Sequence, residues 1–163
     1  MQPNPRLIES VRGWKVPGDR KEVQQFLGLV NYYRRFVPQF SDLAVPLTTL
    51  TSKQVVFNWS EEAQESFEKL KLALCSAPVL SFPLDIGEWV LDTDASAYRL
   101  GAVLHQIQDG EEKVISYGSK KLNKQQRRYC TTRRELLAIA AFMREFRHYL
   151  LGRPFVIRTD HSS

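Results

Sequence analysis

At 163 residues and 43% hydrophobic content, the chain is long enough for one good core or two small ones and is not a disordered tail. Lysine and arginine number 23 against 18 aspartates and glutamates, a formal net charge of +5 that favours a polyanionic partner. The two cysteines, Cys75 and Cys130, have neither the spacing of a zinc site nor that of a disulfide framework, and no apolar run approaches bilayer length. Met1 leads into Gln2-Pro3-Asn4-Pro5 rather than a signal peptide. The expectation is a soluble intracellular protein, cytoplasmic or nuclear, not secreted and with no membrane partner.

After a loose start, Asp19 can cap a helix, with Glu22 reaching back in a capping box. Val23, Phe26, Leu27, Val30 and Val37 fall near one face at helical spacing until Pro38 stops the run. The other surface carries Tyr32, Tyr33, Arg34 and Arg35. Interleaved aromatic and basic side chains can stack on sugars or bases and reach phosphates; the plainer explanation is an amphipathic helix with tyrosines at its rim. Ser41 can cap a short second helix through Leu43, Leu47 and Leu50, bent by Pro46. Ser60 can cap a third, with Glu61 and Glu62 favoured in its first turn and Ala63, Phe67, Leu70 and Leu74 as its buried stripe. Residues 1–82 therefore read as a small helical subdomain, and 83–163 as a separate sheet-bearing part.

In that second part Trp89–Ser96 reads as a strand ending in Asp94, and 100–108 as another. Asp109-Gly110 is a hairpin turn signal before a third strand over 113–119. Thr131 or Thr132 opens a helix whose apolar stripe is Leu136, Ile139, Met143, Phe146 and Leu150, closed by Gly152-Arg153-Pro154. The last stretch, Phe155-Val156-Ile157-Arg158-Thr159-Asp160, echoes Trp89-Val90-Leu91-Asp92-Thr93-Asp94. The order is β-β-β-α-β, an α+β class with a mixed sheet. If the echoing strands are parallel neighbours, a crossover links them, and Asp94 and Asp160 share one sheet edge, where open α/β sheets bind ligands.

Asp94, Glu135 and Asp160 are the candidate carboxylates. Each has a plainer reading: the two aspartates as turn starters, and Glu135 as the last member of a capping box Thr132-Arg133-Arg134-Glu135. With no convergent His or Cys, three carboxylates suit a hard divalent cation such as Mg²⁺, with Mn²⁺ as a substitute. Such a set beside a basic surface suggests two-metal phosphodiester hydrolysis. From Lys113 to Arg134 there are eight Lys or Arg and no acid. Lys120, Lys121, Arg127, Arg128, Arg133 and Arg134 are its candidate anion contacts, a solvated basic rim being the alternative.

Thr93-Asp94-Ala95-Ser96 with Leu100-Gly101-Ala102-Val103-Leu104, Glu135-Leu136-Leu137-Ala138, Phe146-Arg147-His148-Tyr149-Leu150 and Thr159-Asp160-His161 resemble the ribonuclease H domain of gypsy-class LTR retrotransposon Pol polyproteins. Phe26-Leu27-Gly28-Leu29-Val30-Asn31-Tyr32-Tyr33-Arg34-Arg35-Phe36, Phe57-Asn58-Trp59 and Pro78-Val79-Leu80 resemble the thumb and connection of the same reverse transcriptases. The resemblance implies an RNase H-like fold, Mg²⁺ dependence and cleavage of RNA in RNA/DNA hybrids. It places Asp94, Glu135 and Asp160 on three metal-binding carboxylates, and Gly28 and Tyr32 on the pair that tracks the minor groove of a template-primer duplex. It further implies that the last strand, the final helices and the fourth carboxylate of the domain, with the fingers and palm bearing Tyr-x-Asp-Asp, lie elsewhere in the parent polyprotein and act as partners. The competing reading is a non-catalytic nucleic-acid-binding or interaction fragment from a decayed or domesticated element.

Overall fold

The structure is a computed structural model that describes residues 5–76 and 80–159, and these form two compact units. The first is helical: α1 (Pro5–Arg12), α2 (Arg20–Tyr32), α3 (Phe40–Leu43), α4 (Val45–Leu50) and α5 (Glu61–Cys75). α1 falls where the sequence suggested only a loose start. Two of the three expected caps form: Asp19 Oδ1 accepts from the Glu22 amide at 2.8 Å, and Ser60 Oγ from the Ala63 amide at 3.2 Å. Ser41 does not cap: it lies inside α3, whose N-cap is Gln39, and the single helix expected through Leu43, Leu47 and Leu50 is split in two, with Pro46 in the first turn of α4, where a proline is tolerated. The Glu22 carboxylate reaches back to the Gly18 amide rather than to Asp19. Phe26 and Phe67 meet at 4.7 Å between ring centroids, with Trp14 and Trp59 set edge-on against them, at the centre of a core with Val11, Val23, Val30, Leu47, Leu70 and Leu74. α2 stops at Tyr32, short of the run to Val37 read from the sequence. A tight 3-10 turn, Arg34–Phe36, follows and brings Phe36 and Val37 into the core by a different route.

The second unit is a four-stranded mixed sheet of β1 (Trp89–Ala95), β2 (Arg99–Gln108), β3 (Glu111–Lys121) and β4 (Phe155–Thr159), in the order β3-β2-β1-β4. Between β3 and β4 the chain forms α6 (Thr131–Glu145) and α7 (Arg147–Leu150). The β2–β3 hairpin turns at Asp109 and Gly110, both at positive φ (52° and 78°), the backbone that the Asp-Gly pair favours. β1 and β4 are parallel, with Trp89 opposite Phe155 and Thr93 opposite Thr159, so the sequence echo is also the ladder register. Residues 80–82, expected at the end of the helical part, group with the sheet: Leu80 is buried and the Ser81 amide donates to Val114 O at 2.9 Å. Gln106, fully buried, anchors the rest of this approach by bonding Leu84 and Ile86.

α6 packs on the face that carries Trp89, Leu91, Leu100, Ala102, Leu104 and Ile115. Its buried residues are Ala138 and Phe142, continued by Phe146 and Leu150, whereas Leu136 and Met143 of the expected stripe are 61% and 39% exposed. Gly118 on β3 explains the shift. A Cβ there would lie 2.7 Å from Phe142, so the missing side chain makes the space that draws Phe142 inward and rotates Leu136 and Met143 to the rim.

Candidate active site at one edge of the sheet

Strand directions place the functional edge. β1 ends at Ala95, and β2 leaves from the same end, with Ala95 opposite Leu100. β3 runs antiparallel to β2 and returns to that end, where Lys121 lies opposite Arg99. The chain stays there: the Leu122 amide donates to Tyr98 O at 2.9 Å, the Arg127 guanidinium lies 5.5 Å from the Tyr98 ring centre, and α6 begins at Thr131. β4 starts at the far edge and rises parallel to β1 until Thr159 lies opposite Thr93. The penultimate residue of β1, Asp94, the first turns of α6 with Glu135, and the end of β4 therefore share one edge.

Asp94 is exposed and Glu135 half-buried. Asp160, the third expected carboxylate, lies outside the described residues, and among the described residues no three metal-ligating side chains gather. Glu135 is not the partner in a Thr132 capping box. The helix starts at Thr131 with Cys130 as N-cap, so Thr132 lies inside the helix and does not cap it. The donor set at the edge is carboxylate oxygen, the chemistry that suits Mg²⁺ or Mn²⁺.

The basic block divides. Lys113 sits near the start of β3, at the opposite end from Asp94, and pairs with Glu111. Lys120 is engaged by Glu145 at 3.4 Å and lies over the Phe142 ring. Arg133 lies 4.0 Å from the Tyr129 ring centre, and Arg134, half-buried, folds back toward Thr131 Oγ1 at 3.4 Å. Lys121, Arg127 and Arg128 are exposed around the same edge. In the helical unit Gly28 and Tyr32, four residues apart on α2, are both exposed, Tyr32 at 78%. Arg34 and Arg35 are half-buried, lying over the Phe40 and Phe36 rings at 5.7 and 5.0 Å.

One group escaped the sequence reading. On the sheet face opposite α6, Arg158 of β4 forks onto Asp92 of β1 (Nε–Oδ1 2.5 Å, Nη2–Oδ2 2.9 Å) and onto Glu112 of β3 (Nη1–Oε1 2.7 Å, Nη2–Oε2 3.1 Å). His105 of β2 adds a contact to Asp92 at 2.8 Å, so the group spans all four strands. Partial burial pushes the Asp92 carboxyl up, but the hydrogen bonds and charge of Arg158, with His105, outweigh it and leave Asp92 below its ordinary value. The hydrogen bonds from Arg158 likewise lower Glu112, and those two carboxylates raise Arg158. The signal was in the echo: its variable slot holds Asp92 in one copy and Arg158 in the other, and the ladder sets them opposite.

Residues 59–157 match the family described as an RNase H-like domain found in reverse transcriptase. The retrovirus-related Pol polyprotein from transposon 297 of Drosophila melanogaster is 41% identical over 162 residues, covering 99% of this chain and 15% of the relative. The transposon Tf2-3 polyprotein of Schizosaccharomyces pombe is 41% identical over 157 residues, 94% of this chain and 12% of that polyprotein. The chain is thus similar to a small part of each relative. Among solved structures, the foamy viral protease-reverse transcriptase dRH in complex with ds DNA superposes with a TM-score of 0.87 at 23% identity, over 99% of this chain and 29% of that one. The foamy viral protease-reverse transcriptase in complex with RNA/DNA hybrid gives 0.86 at 23% identity, over 98% and 22%.

Proposed function

Because this chain belongs to the RNase H-like domain family found in reverse transcriptase, we propose that it is the ribonuclease H part of a retrotransposon reverse transcriptase, hydrolysing RNA in RNA/DNA hybrids. The observation that carries this reading is the shared edge: Asp94 at the end of β1 and Glu135 in the first turns of α6 lie where β4 hands the chain on toward Asp160. Asp94, Glu135 and Asp160 would hold Mg²⁺, or Mn²⁺ in its place. When bound, the metal supplies a water acidic enough to attack phosphorus and an electrophile for the leaving oxygen. The chain's own part is to gather carboxylates whose mutual repulsion the cation relieves.

The duplex would meet two sets of residues, each described within its own unit. Lys121, Arg127, Arg128 and Arg133, with Lys120 and Arg134 behind them, would face phosphates at the carboxylate edge. Gly28 and Tyr32 offer an open face of α2 with an exposed ring, suited to a groove, and Arg34 and Arg35 would add positive charge from the turn that follows. Support comes from the two foamy viral structures, one with ds DNA and one with RNA/DNA hybrid, which share this fold. The remaining partners would be fingers, palm and further RNase H segments of the parent polyprotein, and the site of action the cytoplasm or nucleus.

The test is cleavage of a labelled RNA/DNA hybrid by the purified chain in Mg²⁺ and then Mn²⁺. The expected result is that Asp94→Asn and Glu135→Gln abolish cleavage while hybrid binding persists. Cleavage that survives in Asp94→Asn refutes the assignment, and hybrid binding without cleavage, both by the unaltered chain and by the chain joined to the further RNase H segments, favours a binding module instead.

A further inference from the structure

β4 is the least secured strand of the sheet. It has five residues, none of them fully buried, and it pairs on its β1 side at the end of the strand order. Yet on the reading above β4 borders the strand that carries Asp94, and the elements around a metal site must be held to a fraction of an ångström to be useful. Apolar packing supplies little of that hold: Val156 is 45% exposed, and Phe155 is only half-buried.

The hold on the open face is ionic and centred on one residue. The Arg158 guanidinium makes four hydrogen bonds to two carboxylates on two other strands, with Nε, Nη1 and Nη2 all engaged. Both forks are bidentate, the geometry in which arginine gives direction as well as attraction. His105 also contacts Asp92, at the Oδ2 that Arg158 Nη2 binds, so Arg158 grips a carboxylate that β2 already steadies. Asp92 precedes Asp94 by two residues on β1, and Arg158, opposite Asp92, is the penultimate residue of β4. The clamp therefore sits one pleat below Asp94 on β1 and at the end of β4.

We propose that Arg158 is a positioning residue for the metal site: its double fork onto Asp92 and Glu112 locks the end of β4 to β1 at the edge that carries Asp94. The assignment rests on the carboxylate-edge reading of function. This role does not require Arg158 to touch the substrate or the metal.

The experiment compares the whole chain with Arg158→Gln, Arg158→Lys and Glu112→Gln in two readouts that need no catalysis: Mn²⁺ titration followed by electron paramagnetic resonance, and amide hydrogen exchange resolved by segment. Arg158→Gln is expected to weaken Mn²⁺ binding by roughly tenfold, the low end of the loss seen when groups hydrogen-bonded directly to metal ligands are removed, because Arg158 acts on the ligands only through the strands. Exchange should quicken over 155–159 while α6 and the β2–β3 hairpin keep their protection. Arg158→Lys, which keeps the charge but not the fork, should fall between the two, and Glu112→Gln, which spares the Asp92 fork, should move both readouts less in the same direction. In hybrid cleavage, kcat should drop with KM unchanged, and excess Mn²⁺ should restore it. If Arg158→Gln fails to fold, the graded response of Arg158→Lys and Glu112→Gln carries the test. Wild-type Mn²⁺ affinity in the folded variants, or protection lost evenly over the whole sheet, overturns the proposal. An unaltered chain that takes up no Mn²⁺ fails in the arm without substitutions; that result overturns the metal-site reading and the role of Arg158 with it.

Discussion

Adding one methyl group at Gly118 should destabilise the sheet unit, because the position lies under two aromatic rings with no room to retreat. An alanine Cβ there would stand 2.7 and 2.9 Å from Phe142 Cε1 and Cδ1 and 3.1 Å from Phe146 Cζ. Those rings are 0% and 2% exposed, stacked on one another at 6.1 Å between centroids, so neither swings into solvent. Two terms compete. Replacing a strand glycine by alanine gains about 0.5–1 kcal/mol of backbone entropy, and overpacking a filled core costs about 1–3 kcal/mol. With both rings unable to retreat the steric term wins, and the midpoints of the two ranges leave a net loss of about 1–1.5 kcal/mol. In a unit of 60–100 residues each kcal/mol moves Tm by about 4–8 °C, so the expected fall is roughly 4–12 °C. Trp89, buried in this unit, reports its melting by fluorescence in a Trp14→Phe/Trp59→Phe background. Phe142→Leu removes the offending ring edge, so Gly118→Ala should cost less in that background than alone. Equal cost in both backgrounds, or a neutral Gly118→Ala, would refute the reasoning.

Two further outcomes are expected. Asp92 and Glu112 are both held below their ordinary values by Arg158; a lowered carboxyl stabilises above its unfolded pKa and loses that contribution as pH falls through the folded one. The urea midpoint of the sheet unit should therefore drop below roughly pH 4, the ordinary carboxylate range, and drop less steeply in Arg158→Gln; parallel profiles would remove the network from acid stability. Hybrid affinity should fall steeply with salt, and Arg127→Ala/Arg128→Ala/Arg133→Ala should flatten the log–log slope by about 2–3, one phosphate contact per arginine; an unchanged slope would take these residues off the phosphate backbone.

Much of this fold is legible in the sequence where one short-range signal decides. Asp19 and Ser60 are caps because their side chains reach an amide three residues on, and Asp109-Gly110 turns because both residues accept positive φ. The echo yields more than its two strands, since the same residues face each other across the parallel ladder. Legibility fails where a distant partner decides. The exposed Leu136 and Met143 of α6 match the apolar period as well as the buried Phe142 does, and only the vacancy at Gly118, on another element, selects the buried face. Val37 fits the α2 stripe by spacing but enters the core through a 3-10 turn. Of the candidate site, the shared edge of Asp94 and Glu135 follows from strand order. The Arg158 clamp needs a third strand and a fourth, and Glu112 carries no sequence mark that ties it to Arg158.

The placement of charge around the sheet follows from what its two faces can bear. The face under α6 is dry, filled by Leu91, Leu104, Phe142 and Phe146, and a carboxylate there would lose its hydration without recompense. The open face keeps enough water for charges to persist, yet is sheltered enough that Asp92 and its partners hold one geometry: Asp92 is about a third exposed and His105 about a seventh. At the edge itself Asp94 is exposed and stays hydrated. Charge thus grades from excluded, to paired, to available over the few residues from Leu91 to Asp94. A short edge strand is compatible with a demanding site because the paired tier lies directly behind the available one and fixes β4 where apolar burial does not.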